Sequence, residues 1–163
     1  MVRLKYAVGV DGGCLVPIEV KEYVAIGPKH AFQTWTSRAS AWWPTTHTAS
    51  HEHGAEIVFE PRVGGRIFER TSTGREIDWG EVTEWDPPFR LRYRWHIATN
   101  AGAATDVEIN FRELDPSLTR VEIEHRGWEQ LGEEKGRAWR DVNHGGWDGV
   151  LPAYIAACSK QAA

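Results

Sequence analysis

Residues 90–97 read Arg-Leu-Arg-Tyr-Arg-Trp-His-Ile, and this strict alternation of polar and apolar side chains decides the fold. Successive side chains of a strand point to opposite faces of a sheet, so the pattern predicts a strand with one charged and one apolar face. The alternation recurs in residues 107–111 and, after an Asp115-Pro116-Ser117 turn, in residues 121–125. These segments predict an antiparallel sheet that is wet on one side and apolar on the other.

Further elements are predicted on both sides of this segment. Pro28 is well placed to open a short helix, and a second short helix is predicted over residues 37–43, where Pro44 ends it. From about residue 133 to Cys158 the apolar spacing becomes helical. Shorter alternations bounded by Gly and Pro predict additional strands at residues 17–26, 55–60, 66–71 and 76–85.

The apolar face of the sheet needs a cover, and the C-terminal helix is the only long element that can supply it. We therefore predict an α+β, helix-grip architecture: a curved antiparallel sheet of six to seven strands wraps around that helix, and two short helices follow the first strand. Such a sheet leaves space at its open end, where a ligand cavity is expected. The domain is predicted to span residues 16–163, and residues 1–15 are predicted to form a flexible N-terminal arm.

The composition argues against several classes of protein. A chain of 163 residues with 41% hydrophobic and 26% charged residues is typical of one globular domain. Its net charge of −4, with scattered Lys and Arg residues, argues against a nucleic-acid partner. The apolar stretches fall short of the ~20 residues that a membrane-spanning helix needs, so no membrane partner is expected and a cytoplasmic location is predicted. Cys14 and Cys158 are predicted to be reduced thiols.

Nine Trp residues are a heavy aromatic load for a domain of this size. We expect rings on the inner sheet face and on the long helix to line the cavity, together with two histidines. The predicted lining residues are His47, Trp79, Tyr93, Trp95, His125, Trp139, Trp147 and Tyr154. Each ring could equally be a plain core residue. Together they favour a small apolar or aromatic ligand, bound without a cofactor.

Three titratable residues are weak candidates for acid–base chemistry. His125 shares the inner face of its predicted strand, and the alternative to a chemical role is a core histidine with hydrogen-bonded neighbours. Glu69 and Glu81 lie on short strands where either face could be inward, and a surface position is the preferred interpretation of both. A carboxyl group inside an apolar pocket would have a raised pKa and could act as a general acid or base.

Three of the seven histidines, His47, His51 and His53, fall in one polar loop at the predicted mouth of the cavity. Imidazole is a common zinc ligand, but zinc sites need a third or fourth protein ligand in a defined geometry. The sequence offers no Cys or His-Glu-x-x-His helix to complete the set. A solvated polar loop is therefore preferred to a metal site, and His47 is the member expected to face the pocket.

Several motifs, in order along the chain, resemble those of one family. They are Ala41-Trp42-Trp43-Pro44, Glu60-Pro61-Arg62-Val63-Gly64-Gly65-Arg66, Trp79-Gly80-Glu81-Val82, Trp85-Asp86-Pro87-Pro88-Phe89-Arg90-Leu91 and Gly146-Trp147. The chain resembles the START-like, helix-grip superfamily (SRPBCC) and, within it, the proteins named after the activator of heat-shock-protein-90 ATPase. The resemblance spans almost all of residues 18–157 and implies the helix-grip fold. For function it implies a choice among ligand carriers, a few cyclases and hydrolases, and a co-chaperone domain.

Three functions therefore stay open. The preferred hypothesis is a non-catalytic binding protein for a small apolar or aromatic molecule. The second is a cyclase-, dehydratase- or hydrolase-like enzyme, which requires His47, His125, Glu69 and Glu81 to converge on one cavity. The third is a protein-interaction module that contacts a chaperone or a second copy of this chain as a homodimer.

Overall fold

Seven strands form a single antiparallel sheet in the computed structural model, which describes residues 15–162. The predicted N-terminal arm, residues 1–15, lies outside the described residues apart from Leu15. The strands are β1 (Ile18–Val24), β2 (Glu56–Phe59), β3 (Arg66–Arg70), β4 (Glu76–Asp86), β5 (Arg90–Trp95), β6 (Thr105–Asp115) and β7 (Leu118–Arg126). Their order across the sheet is β1-β7-β6-β5-β4-β3-β2, so β1 closes one edge by pairing with the last strand.

The long C-terminal helix is α2 (Glu133–Ala162), which is continuous across Gly145-Gly146 and Pro152. The first short helix is α1 (Pro28–Trp35), with Pro28 in its first turn as expected. The second predicted short helix, residues 37–43, is reduced to a 3-10 turn, Ala39–Ala41. There the indole N–H of Trp42 donates to the carbonyl of Thr34 at 2.6 Å, which folds the segment back onto α1.

Irregular pairing bends the sheet around α2. The register shifts between Ile67 and Phe68 opposite β4, between Val82 and Glu84, and between Glu113 and Asp115. Such bulges increase the local twist and bend of the bulged strand. The predicted α+β helix-grip fold is therefore confirmed, with seven strands.

The alternation in residues 90–97 has the predicted consequence. Leu91, Tyr93 and Trp95 are buried on the inner face, while Arg90 and Arg92 lie on the outer face with carboxylates of neighbouring strands. No helix in the described part of the chain combines the length and apolarity needed to cross a membrane.

Candidate ligand cavity

A cavity of about 450 Å³ lies between the first half of α2, the end of β5 and the loop that precedes β2. This volume is within the range of small-molecule sites. Beyond Val150, α2 leaves no such space, because Leu151, Tyr154 and Cys158 are buried against the core. The lining residues are Trp43, Thr46, His47, Thr48, Ala49, His51, Trp95, Ile97, Ala98, Trp139, Val142, Asn143, Gly145, Gly146, Trp147 and Val150.

Four tryptophans give the cavity its aromatic walls. Trp43, Trp95 and Trp147 are each at least nine-tenths buried, and Trp139 is half-buried. The ring of Trp43 lies 6.0 Å from that of Trp95 between centroids. Rigid rings of this kind offer a large contact area to a flat ligand at little cost in conformational entropy.

The indole N–H groups of these walls differ in their partners. Trp43 donates to the carbonyl of His47 at 3.1 Å, and Trp147 donates to Nδ1 of His125 at 3.0 Å. The indole N–H of Trp95 has no hydrogen-bond partner among residues 15–162, although only 8% of the side chain is exposed, and that nitrogen is not sealed off by protein atoms. Trp95 lines the cavity, so a ligand that reaches this N–H can accept its hydrogen bond.

Polar groups reach the cavity from the loop and from α2. Nδ1 of His47 lies 2.9 Å from the Thr46 hydroxyl, and its ring packs against Gly149, where an added Cβ would collide with the imidazole. Asn143 donates its amide N–H to the carbonyl of Trp139 at 2.9 Å. The amide oxygen of Asn143 has no partner among the described residues and can accept a hydrogen bond.

The mouth of the cavity is held in unusual backbone conformations. Within residues 15–162, His51 and Ala98 are the two non-glycine residues with positive φ, at 56° and 60°, and both line the cavity. Conformations of this kind cost of order 1–3 kcal/mol and persist where the surroundings hold them in place. The two residues lie on the loop before β2 and just after β5.

Glu69 supplies part of that support. Its carboxylate is fully buried and accepts hydrogen bonds from the backbone N–H groups of Ala49 at 3.2 Å and Ser50 at 2.7 Å. The preferred surface position for this residue is therefore wrong: β3 turns Glu69 to the same inner side as Ile67, and the loop amides satisfy its charge. Glu81 is exposed beside Arg66 and Arg94, as a surface carboxylate.

His125 is a buried core residue with both ring nitrogens engaged. Because an indole N–H can only donate, Nδ1 accepts from Trp147, and the ring proton on Nε2 is directed at the Thr105 hydroxyl, 2.7 Å away. Burial lowers the pKa of His125 to about 3. The imidazole is neutral, and its position behind Trp147 separates it from the cavity lining.

Of the eight predicted lining residues, His47, Trp95, Trp139 and Trp147 are in the lining and Trp79, Tyr93, His125 and Tyr154 are not. Those four form a second layer. Trp79 lies 5.2 Å from Trp43 and 5.6 Å from Trp95 between ring centroids, directly behind both walls. The hydroxyl of Tyr154 donates to the carbonyl of Ala31 at 2.8 Å, which turns it towards α1.

The acid–base candidates do not converge on the cavity. His47 lines it, whereas Glu69 is occupied by loop amides, His125 lies in the core and Glu81 is on the outer face. Within residues 15–162, no group of three or more His, Cys, Asp or Glu side chains is arranged to hold a metal ion. Sequence reasoning missed Asn143, Gly146 and Val142 as lining residues, although each follows Trp139 at helical spacing.

The chain is similar in sequence and fold to known proteins. The family model described as "Activator of Hsp90 ATPase homolog 1-like protein" matches residues 26–159. A search of curated proteins finds no match. Among solved structures, an anthrahydroquino-gamma-pyrone synthase, determined as a complex, is 30% identical with a TM-score of 0.60, over 87% of this chain and 96% of that chain.

Two further structures share the fold at lower identity. A self-sacrificing resistance protein, CalC from Micromonospora echinospora, is 23% identical with a TM-score of 0.66, over 92% of this chain and 96% of that chain. An HSP90 activator from Plasmodium falciparum is 20% identical with a TM-score of 0.59, over 86% and 93% of the two chains. The architecture is therefore shared by proteins that are named for different roles.

Proposed function

The chain belongs to the Activator of Hsp90 ATPase homolog 1-like family, and we propose that it is a binding protein for a flat, largely apolar aromatic molecule. The observation that carries this proposal is the cavity of about 450 Å³ lined by four tryptophans. A ligand ring that packs on one such wall gains ~0.5–1.5 kcal/mol beyond the apolar area it buries.

The polar groups of the cavity narrow the chemistry of the ligand. The indole N–H of Trp95 can donate a hydrogen bond to a ligand, and the amide oxygen of Asn143 can accept one. A ring system that carries a carbonyl and a hydroxyl group would satisfy both. The solved structure at 30% identity supports the same class, because that protein is named an anthrahydroquino-gamma-pyrone synthase.

A titration with 1,8-dihydroxyanthraquinone tests this proposal. The probe is flat and carries both carbonyl and hydroxyl groups, and tryptophan fluorescence quenching gives its affinity. Trp139→Ala removes one wall and should weaken binding by about tenfold or more, in line with the loss of a central aromatic contact. Trp85→Ala is the matched control, because Trp85 is also half-buried against the core but does not line the cavity.

The proposal predicts that Trp85→Ala keeps the affinity of the original chain even if its melting temperature falls. Equal affinity of the Trp139→Ala and Trp85→Ala proteins would refute it, as would a probe that raises the melting temperature of none of the three proteins. Thermal shift and quenching report independently, since one measures stability and the other measures contact with the rings.

Proton transfer to His47 is a second candidate function. It is favoured by the position of this imidazole on the cavity wall and by the fact that the 30% identical protein is named a synthase. In that case His47 would accept the proton of a ligand hydroxyl and leave a phenolate in the cavity. The absorbance of bound 1,8-dihydroxyanthraquinone then titrates at lower pH than with His47→Gln; identical titrations would exclude this role.

Contact with a chaperone, or with a second copy of this chain, stays a prediction. Large exposed apolar side chains in the described residues include Val63 and Phe89, which lie in turns, and Val142 on α2. Sedimentation at rising protein concentration tests the homodimer: a single monomer mass throughout would count against it.

A further inference from the structure

Gly146 occupies the centre of the face of α2 that lines the cavity. Three other lining residues of α2 precede it at helical spacing: Trp139 by seven residues, Val142 by four and Asn143 by three. A fourth, Val150, follows it by four residues. The interior of a helix disfavours glycine relative to alanine because the backbone loses more conformational freedom there. A glycine at this position therefore calls for a physical reason.

Two other glycines of α2 have a reason in the packing of the protein itself. An added Cβ at Gly136 would collide with the carbonyl oxygen of Trp128, and one at Gly149 would collide with the imidazole of His47. At Gly146, as at Gly145, an added Cβ would meet no protein atom within 4 Å apart from its two chain neighbours and the nearby helix backbone. The protein packing thus leaves room for a side chain that the sequence does not supply.

We infer that Gly146 is a specificity-determining position, where an extended flat ring system lies against the bare backbone of α2. The inference rests on the proposed function and adds a ligand class to it. The ligand would be a fused aromatic ring system with an oxygen atom that accepts a hydrogen bond from the Trp95 N–H. The missing side chain matters because a methyl group would project from the helix into the space where the ring plane lies. A single ring can move away from that methyl group, whereas a fused system that spans the cavity cannot.

The test compares Gly146→Ala with the original chain, using two probes. The first is 1,8-dihydroxyanthraquinone, and the second is 2-hydroxyacetophenone, which carries the same hydroxyl–carbonyl pair on one ring. Overpacking by one methyl group should weaken binding of the three-ring probe by about tenfold, while binding of the one-ring probe stays within about twofold. Fluorescence quenching gives both affinities.

Gly146→Ala should stabilise the folded protein while it weakens binding of the three-ring probe. Because the site has room for a methyl group and alanine favours the helix, Gly146→Ala should raise Tm by about 2–4 °C. Ala156→Gly, at an exposed position of the same helix, is the control: it should lower Tm and leave both affinities unchanged. Lost affinity in a stabilised protein cannot be ascribed to misfolding.

Three outcomes would overturn the inference. If the original chain binds the three-ring probe and Gly146→Ala binds it equally well, the role of Gly146 is overturned and the proposed function stands. If Gly146→Ala melts below the original chain, the space at Gly146 is needed for packing and the inference is also overturned. If the original chain binds neither probe, both the proposed function and the inference fail.

Discussion

Acid should destabilise this protein through one buried imidazole. His125 is fully buried, and burial lowers its pKa to about 3, against an ordinary value of 6.5. Between these two values the unfolded chain binds a proton at this residue that the folded chain does not bind. Stability therefore falls as the pH falls below 6.5, by about 1.4 kcal/mol for each pH unit down to the folded pKa.

The expected contribution of His125 between pH 7 and pH 5 is about 2 kcal/mol, from the proton affinity of the unfolded chain alone. Urea unfolding at both pH values gives the total loss, and His125→Gln removes the contribution of this residue. The variant should be less stable than the original chain at pH 7 by about 1–3 kcal/mol, since the amide does not reproduce the ring geometry that bonds both Trp147 and Thr105. Between pH 7 and pH 5, however, the variant should lose about 2 kcal/mol less free energy of unfolding than the original chain loses.

The control is His30→Gln, which removes an exposed imidazole and should keep the full loss of stability in acid. The other titratable groups are present in all three proteins, so their effects cancel in the comparison. An equal loss between pH 7 and pH 5 in the original chain and in His125→Gln would refute the view that this imidazole stays neutral in the folded protein.

Three further predictions concern the support of the cavity and the core. Glu69→Gln should lower the free energy of unfolding by about 1–3 kcal/mol, because the two loop N–H groups bond different carboxylate oxygens and Gln replaces one of these with an NH2 donor; urea unfolding checks this, with Glu81→Gln expected within about 0.5 kcal/mol of the original chain. Gly149→Ala should raise Tm by less than Gly146→Ala does, because its methyl group must displace the imidazole of His47, and an equal rise would contradict that contact. Cys158 is buried with a pKa raised to about 11 by burial, so a thiol reagent should label its peptide only after unfolding; rapid labelling of the folded protein would show the packing to be wrong.

The architecture could be predicted from the sequence because its signals are local. The alternation in residues 90–97 predicts which side chains face inward, and the helical spacing after residue 133 predicts the long helix that covers the apolar face of the sheet. The helix predicted over residues 37–43 is not formed, because the indole N–H of Trp42 donates to the carbonyl of Thr34. Local propensity cannot predict this contact. Short elements are the ones that tertiary contacts most easily override.

The site was less predictable than the fold. Alternation predicts which side chains of a strand face inward, but it does not tell whether such a side chain lines the cavity or lies behind the lining residues. Trp79 and Trp95 both turn inward, yet only Trp95 reaches the cavity, since Trp79 lies behind it and behind Trp43. The buried position of Glu69 depends on two amides of a loop about twenty residues earlier in the chain. The sequence marks Gly146 as a poor helix residue, whereas only the structure shows the open space beside it.

The most direct test of the central claim is an amide and indole N–H NMR titration with 1,8-dihydroxyanthraquinone. If the cavity binds a flat aromatic molecule, the largest shifts will fall on the backbone amides of Gly145 and Gly146 and on the indole N–H of Trp95, all of which line it. The indole N–H of Trp128, buried and bonded to the carbonyl of His125, should shift little. Shifts confined to the outer face of the sheet, or no shifts at saturating probe, would contradict the account.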